Sequence, residues 1–245
     1  MSPVNEILQV RAARLVSRER LTQNDMGRMY RLLSEYFVGV TIEQFQRDTA
    51  EKNWVILMEQ SERLVGFSTL LAYETRIDGQ VYSVIYSGDT IVATDAWKSS
   101  TLARSWIESV ATLRELCPRG PYLWLFITSG FRTYRFLPLF WREFFPRFDQ
   151  KTPAHWKRLI DCLAKERFQE HYDPVTGVVR FQNPQRLRGS LAEIPAGRKT
   201  DPHIAFFSSG NPGHIMGDEL VCITELAPHN LTTAGRRMAA ALPRW

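Results

Sequence analysis

Residues 53–73 read N-W-V-I-L-M-E-Q-S-E-R-L-V-G-F-S-T-L-L-A-Y, and this stretch decides the fold. Asn53–Gln60 is a short, mostly apolar run of β-formers, Ser61-Glu62-Arg63 a turn, and Leu64–Tyr73 a second strand. Asp78-Gly79 follows, a pair that tolerates the positive φ of a tight hairpin turn, and Gln80–Thr94 is the third strand. Three consecutive antiparallel strands are therefore expected.

On either side of these strands the period changes. Upstream, Met26, Met29, Tyr30, Leu33 and Phe37 recur at helical spacing behind the cap candidates Thr22 and Asn24. A second helix is expected from about Thr41 to Lys52, with Ile42, Phe45 and Thr49 on one face. Residues 1–21 carry only the partial stripe Val10, Leu15 and Leu21, and read as an N-terminal helix or arm. Downstream, Trp97, Leu102, Trp106, Ile107, Val110 and Leu113 restore the helical period until Cys117-Pro118-Arg119-Gly120-Pro121 stops it. Tyr122–Thr128 is a strand, Ser129-Gly130 a turn, and Phe131–Phe145 an aromatic-rich helix ended by Pro146.

The C-terminal region is less periodic. Pro153–Phe168 and Thr232–Leu242 read as helices, and Val178–Phe181, Ile204–Phe207 and Leu220–Ile223 as short strands. Residues 183–203 and 208–218 read as loops.

With 245 residues and 44% hydrophobic content, the chain has enough material for one large domain or a core with an appendage. No apolar run approaches the roughly 20 residues of a membrane-spanning helix. Arg11, Arg14, Arg18 and Arg20 precede no apolar signal core, and Cys117, Cys162 and Cys222 lack metal-ligand spacing. These features point to reduced cysteines and a cytoplasmic location. The net charge of +5 is uneven: residues 119–167 hold ten Lys/Arg against four Asp/Glu. Such a patch suits a polyanion, or is simply a solvated basic face. No Walker loop, dinucleotide fingerprint or G-x-S-x-G is present, which argues against nucleotidase, dehydrogenase and hydrolase classes.

Three segments carry a resemblance to the GNAT (general N-acetyltransferase-like) acyltransferase superfamily. W-V-I-L-M-E-Q-S-E-R-L-V-G-F-S-T-L is similar to the family's second and third strands. S-G-D-T-I-V-A-T-D-A-W-K-S-S-T-L-A-R-S-W, from Ser87 to Trp106, is similar to its fourth strand and coenzyme-binding helix. Y-L-W-L-F-I-T with the later F-W-R-E-F-F-P is similar to its fifth strand and fourth helix. The resemblance implies an α+β fold with a mixed, mostly antiparallel sheet flanked by helices. It divides the chain into an arm (1–24), an acyl-CoA-binding core (25–147) and a C-terminal α/β extension packing on that core (148–245).

The resemblance further implies an acyl-CoA co-substrate, no metal, and an amine acceptor on a small molecule, peptide or protein. The donor's pantetheine would pair along Ile91, Val92 and Ala93, and Val92 or Ala93 would supply the oxyanion donor. Its pyrophosphate would meet Lys98, Ser99, Ser100 and Thr101 at a helix start. That loop has Trp97-Lys98-Ser99-Ser100-Thr101-Leu102-Ala103 where the family has glycines. The family's fourth-helix Tyr falls near Phe140-Trp141, so Tyr134 is the substitute acid.

Asp89 in S-G-D-T is the first candidate base and Glu74 the second. Asp89 and Tyr134 have plainer readings: Asp89 as a turn or bulge residue bonding its own backbone, Tyr134 as core or groove lining. His203 and His214 lie in loops and are further base candidates. The aromatic surplus of Phe131–Phe145 reads either as packing for the C-terminal region or as a channel for a medium or long acyl chain. Two other classes stay open: a catalytically silent GNAT-fold binding module, and a nucleic-acid-binding protein using the basic aromatic patch.

Overall fold

The computed structural model describes residues 8–10, 13–60, 62–97 and 100–239. The chain opens with β1 (Leu8–Val10) and β2 (Ala13–Ser17), paired antiparallel. Over residues 8–10 and 13–17 strands thus stand where a helix or arm was expected over 1–21, and residues 1–7, 11 and 12 lie outside the described residues. Leu15 and Val16 are buried, whereas Arg14 reaches out to Glu59 and Asp25. One turn of 3₁₀ helix, Arg18–Arg20, then leads to α1 (Gln23–Tyr36). Its cap is Thr22: the hydroxyl accepts from the Asp25 amide at 3.0 Å, and the Asp25 carboxylate accepts from the Thr22 amide at 3.2 Å.

The short β3 (Phe37–Val38) and α2 (Ile42–Ala50) precede the three expected strands, β4 (Trp54–Gln60), β5 (Arg63–Ile77) and β6 (Gln80–Val92). All three pair antiparallel in sequence order. Asp78 (φ 51°) and Gly79 (φ 82°) form the hairpin turn. Helix α3 (Thr101–Arg114) crosses over to β7 (Tyr122–Thr128), which pairs parallel with β6. At the foot of that crossover Gly120 (φ +69°) passes so close that a Cβ would lie 1.9 Å from the Val81 carbonyl.

The aromatic stretch is not one helix. It forms α4 (Phe131–Tyr134), α5 (Phe136–Phe140) and β8 (Phe144–Phe145). The first break falls at Arg135, because Pro138 offers no amide to the Tyr134 carbonyl four residues earlier and its ring crowds that oxygen. Then follow α6 (Ala154–Phe168), β9 (Tyr172–Asp173), β10 (Val178–Val179) and β11 (Arg186–Leu187), the last paired with β3. Residues 202–210 form α7 (Pro202–Gly210), a helix where a strand was expected over Ile204–Phe207. Its signal is Asp201-Pro202: the Asp201 carboxylate accepts from the His203 amide at 3.0 Å, with proline in the first turn. β12 (Glu219–Glu225) and α8 (Thr233–Ala239) complete the described chain.

The main sheet runs β1-β2-β4-β5-β6-β7-β12-β10-β9, with β8 also on β12. Among the described strands, β6 and β7 form its only parallel pair. The sheet is thus mixed, mostly antiparallel and flanked by helices, as expected. Alternation along β7 sorts two cores: Trp124 and Phe126 pack under α1, α3, α5 and α7, whereas Leu123 and Leu125 pack under α6. No helix among the described residues is long and apolar enough to cross a membrane.

Candidate functional site

The site begins where β6 and β7 part. Their parallel register runs from Ser83↔Tyr122 to Ser87↔Phe126 and stops, although β6 continues to Val92 and β7 to Thr128. A bulge sits at the same point. On β5, Ser68 and Leu70 are two residues apart, yet their partners on β6, Thr90 and Ser87, are three apart. Gly88 and Asp89 therefore both oppose Thr69, and the extra residue bends β6 away from β7. Side chains close in on Gly88: a Cβ would meet the Lys52 Cε and Thr69 Oγ1, each at 2.8 Å.

The backbone beyond the bulge is orientated by one bond. The Ala93 amide donates to the Val65 carbonyl of β5 at 2.8 Å. Because the peptide is planar and trans, the Val92 carbonyl points the opposite way, into the gap that β7 has left. Strand alternation turns the Val92 amide to the same side. The gap is thus edged by unzipped backbone of the kind an extended ligand can pair with. Ala93, whose amide is committed to Val65, is excluded as the oxyanion donor.

Carboxylates gather at the gap on its α6 side. Burial, reinforced by the charge of Asp48 and opposed by Lys52, pushes Asp89 up to about 6. Glu219, the first residue of β12, lies just past the pair Leu220↔Thr128, where β7 ends. Burial and then the charges of Asp89 and Asp48 push it up to about 8. Although a part of each side chain reaches solvent, burial is the leading cause for both. The buried Lys52 donates to the Asp48 carbonyl at 2.9 Å and lies 5.3 Å from the centre of the Tyr86 ring. Burial, then the nearby Arg167, lower its pKa. Arg167 from α6 covers that ring at 4.0 Å and pairs with Glu51 at 2.8 Å. Near neutral pH Asp89 is therefore ionised and Glu219 holds its proton, the separation that acid–base chemistry uses.

The other predicted residues are scattered. Glu74 pairs with Ser83, six residues up β6 from Asp89, which is about 20 Å along the strand. It accepts from the Arg119 Nε at 2.7 Å, and that bond holds its pKa down. Tyr134 is fully buried among Phe144, Phe206 and Phe207, and its hydroxyl donates to the Pro146 carbonyl at 2.9 Å. Burial raises its pKa strongly. Ile91 is buried and pairs with Phe67. Ser100 precedes α3 without a side-chain cap bond, and its carbonyl accepts from the Arg104 amide at 3.0 Å. Thr101 opens that helix. Lys98 and Ser99 lie outside the described residues. His214 is buried, with its pKa lowered, and its ring bonds the Ser129 backbone at the end of β7. His203 instead packs edge-on against Phe148.

The aromatic surplus has protein partners. Tyr134 meets Phe206 and Phe207, Phe145 meets Trp156, and Trp141 meets Trp106 and Trp124. Of the two readings of Phe131–Phe145, these contacts favour packing: α6, α7 and α3 supply a second apolar layer. Glu219 was missed, since nothing in E-L-V-C-I-T-E announces which strand it will border.

No protein-family model matches the chain. No curated protein matches it either. Among solved structures, an acetyltransferase (GNAT family) from Bacillus anthracis is similar at 8% identity and a TM-score of 0.41, over 62% of this chain and 92% of that one. An aminoglycoside 6'-N-acetyltransferase complexed with coenzyme A is similar at 10% identity and a TM-score of 0.38, over 87% and 97%. A probable N-acyltransferase from Enterococcus faecalis V583 matches at 13% identity and a TM-score of 0.40, over 50% of this chain. This chain spans 31% of that protein's length.

Proposed function

We propose that the chain is an acyl-CoA-dependent N-acyltransferase whose donor lies in the gap between β6 and β7. The observation that carries the reading is the coincidence of the Gly88–Asp89 bulge with the end of β6–β7 pairing. It supplies a strand edge unpaired with β7 for the donor's amides and a carboxylate beside it. The acceptor is an amine of a small molecule, peptide or protein, reaching Asp89 from the α6 side. Residues 25–147 hold the donor, and residues 148–245 contribute β12 and with it Glu219.

In this reading Asp89 takes a proton from the acceptor ammonium. The freed amine attacks the thioester carbonyl, a C–N bond forms, the C–S bond breaks, and coenzyme A leaves as thiolate. Glu219 holds a proton to return to the thiolate, and the second proton that the nitrogen loses as the amide forms restores it, while the proton on Asp89 passes to solvent. Tyr134, committed to Pro146, has no part in the transfer, and Glu74 is too far up β6. Val92 is the remaining backbone donor for the oxyanion, and Ser100 and Thr101 receive the pyrophosphate with Lys98 and Ser99. With the aromatic rings taken up by packing, the acyl group is short. The location is the cytoplasm, where acyl-CoA is supplied. Calorimetric titration with acetyl-CoA, beside turnover of an Asp89→Asn variant, tests this: binding kept and turnover lost supports it, and absence of binding refutes it.

A further inference from the structure

Trp97 is 42% exposed, and its indole folds back onto the strand it follows. Its Nε1–H donates to the Val92 carbonyl at 2.8 Å, the carbonyl that faces the gap. From the other side of the gap, the Arg132 guanidinium stacks 4.5 Å from the centre of the indole. Arg132 belongs to α4, which starts three residues after β7 ends. It is fixed in turn by the Phe131 ring at 4.5 Å and by donating to the Leu191 carbonyl at 2.9 Å. Burial lowers its pKa, with no carboxylate among the causes to oppose it. One ring therefore hangs from the end of β6 and is gripped from the end of β7.

We propose that Trp97, clamped by Arg132, is a specificity plug in the donor cleft: its indole N–H holds the Val92 carbonyl that an amide of the donor's pantetheine arm must take. This rests on reading the β6–β7 gap as the donor cleft. Two consequences follow from the chemistry of the bond. A donor enters only by displacing the indole, so the plug lowers affinity for every donor. A donor arm without an N–H at that point leaves the Val92 carbonyl short of the bond it had, so amide-bearing thioesters are preferred. The cation–π contact adds to the barrier by holding the ring in place.

The test compares the intact protein with Trp97→Phe, which keeps an aromatic ring for Arg132 to stack on and loses the N–H, and with Arg132→Gln, which releases the clamp from the other side. Calorimetry and stopped-flow mixing with coenzyme A give affinity and association rate. One net hydrogen bond corresponds to about threefold to tenfold, so Trp97→Phe is expected to bind that much more tightly, through faster association. Arg132→Gln is expected to raise the association rate as well. Equal affinity and rate in all three proteins, with coenzyme A bound, overturns the plug and leaves the cleft reading intact. Weaker binding by Trp97→Phe also overturns it, since Trp97 would then be a donor contact. No binding by any of the three at millimolar coenzyme A removes the cleft reading, and the plug falls with it.

Discussion

Asp89 on β6 and Glu219 on β12 stand on the two sides of the point where β7 parts from β6, and the charge of the first raises the pKa of the second. They are 130 residues apart in sequence, and the sheet order alone brings them together.

Asp89→Asn keeps the shape of the bulge and removes the base. Turnover is expected to fall by about 10²–10⁴, with the dissociation constant for acetyl-CoA unchanged within about twofold. A variant within about threefold of the normal turnover assigns Asp89 to the turn alone. Glu74→Gln, tested alongside, is expected to leave turnover as it was.

The pH profile follows from the two carboxyls. Asp89 works ionised and Glu219 works protonated, so the rate is expected to rise with pH through about 6 and fall through about 8. The limb near 6 is expected to vanish in Asp89→Asn. A profile unchanged by that substitution contradicts the assignment.

Glu219 also has a stability consequence of definite sign. Its folded pKa lies above the unfolded value of about 4.5, so the folded state holds the proton more tightly. Stability is then lost as pH rises from about 4.5 to about 8. Glu219→Gln removes that loss. Allowing for the partial exposure of the side chain, the gain at pH 8 is on the order of 2 kcal/mol, with none at pH 4. Urea melts at the two pH values measure it, and a gain equal at both excludes the titration as its cause.

How much of this was legible in the sequence differs by element. The β4–β5–β6 meander could be read because each strand is a local run closed by a local turn, Asp78-Gly79 above all. The irregularity at Asp89 could be suspected because a glycine, Gly88, stands directly before it within the strand. Glu219 could not, since its neighbours are fixed by the pairing of β12 with β7, a contact across about ninety residues. The N-terminal strands were obscured by arginines that keep the β2 run short. The aromatic stretch stayed open between two readings because a segment between two protein layers and one lining a lipid channel share one composition.

That composition yields a prediction on the donor. The rings of Phe131–Phe145 are already packed against α3, α6 and α7, so added methylenes find no apolar groove there. Dissociation constants for acetyl-, octanoyl- and palmitoyl-CoA are expected to agree within about threefold. A groove would add up to about 0.8 kcal/mol for each buried methylene, and a steep series would show that one opens.

Amide hydrogen exchange with and without acetyl-CoA tests the central claim most directly, because it reads the strand edge itself. The amide of Val92 and those at the start of α3 are expected to slow on adding the donor, while β4 and the β5–β6 hairpin tip stay as they were. Donor binding that leaves the Val92 amide exchanging at its original rate would contradict the placement of the donor between β6 and β7.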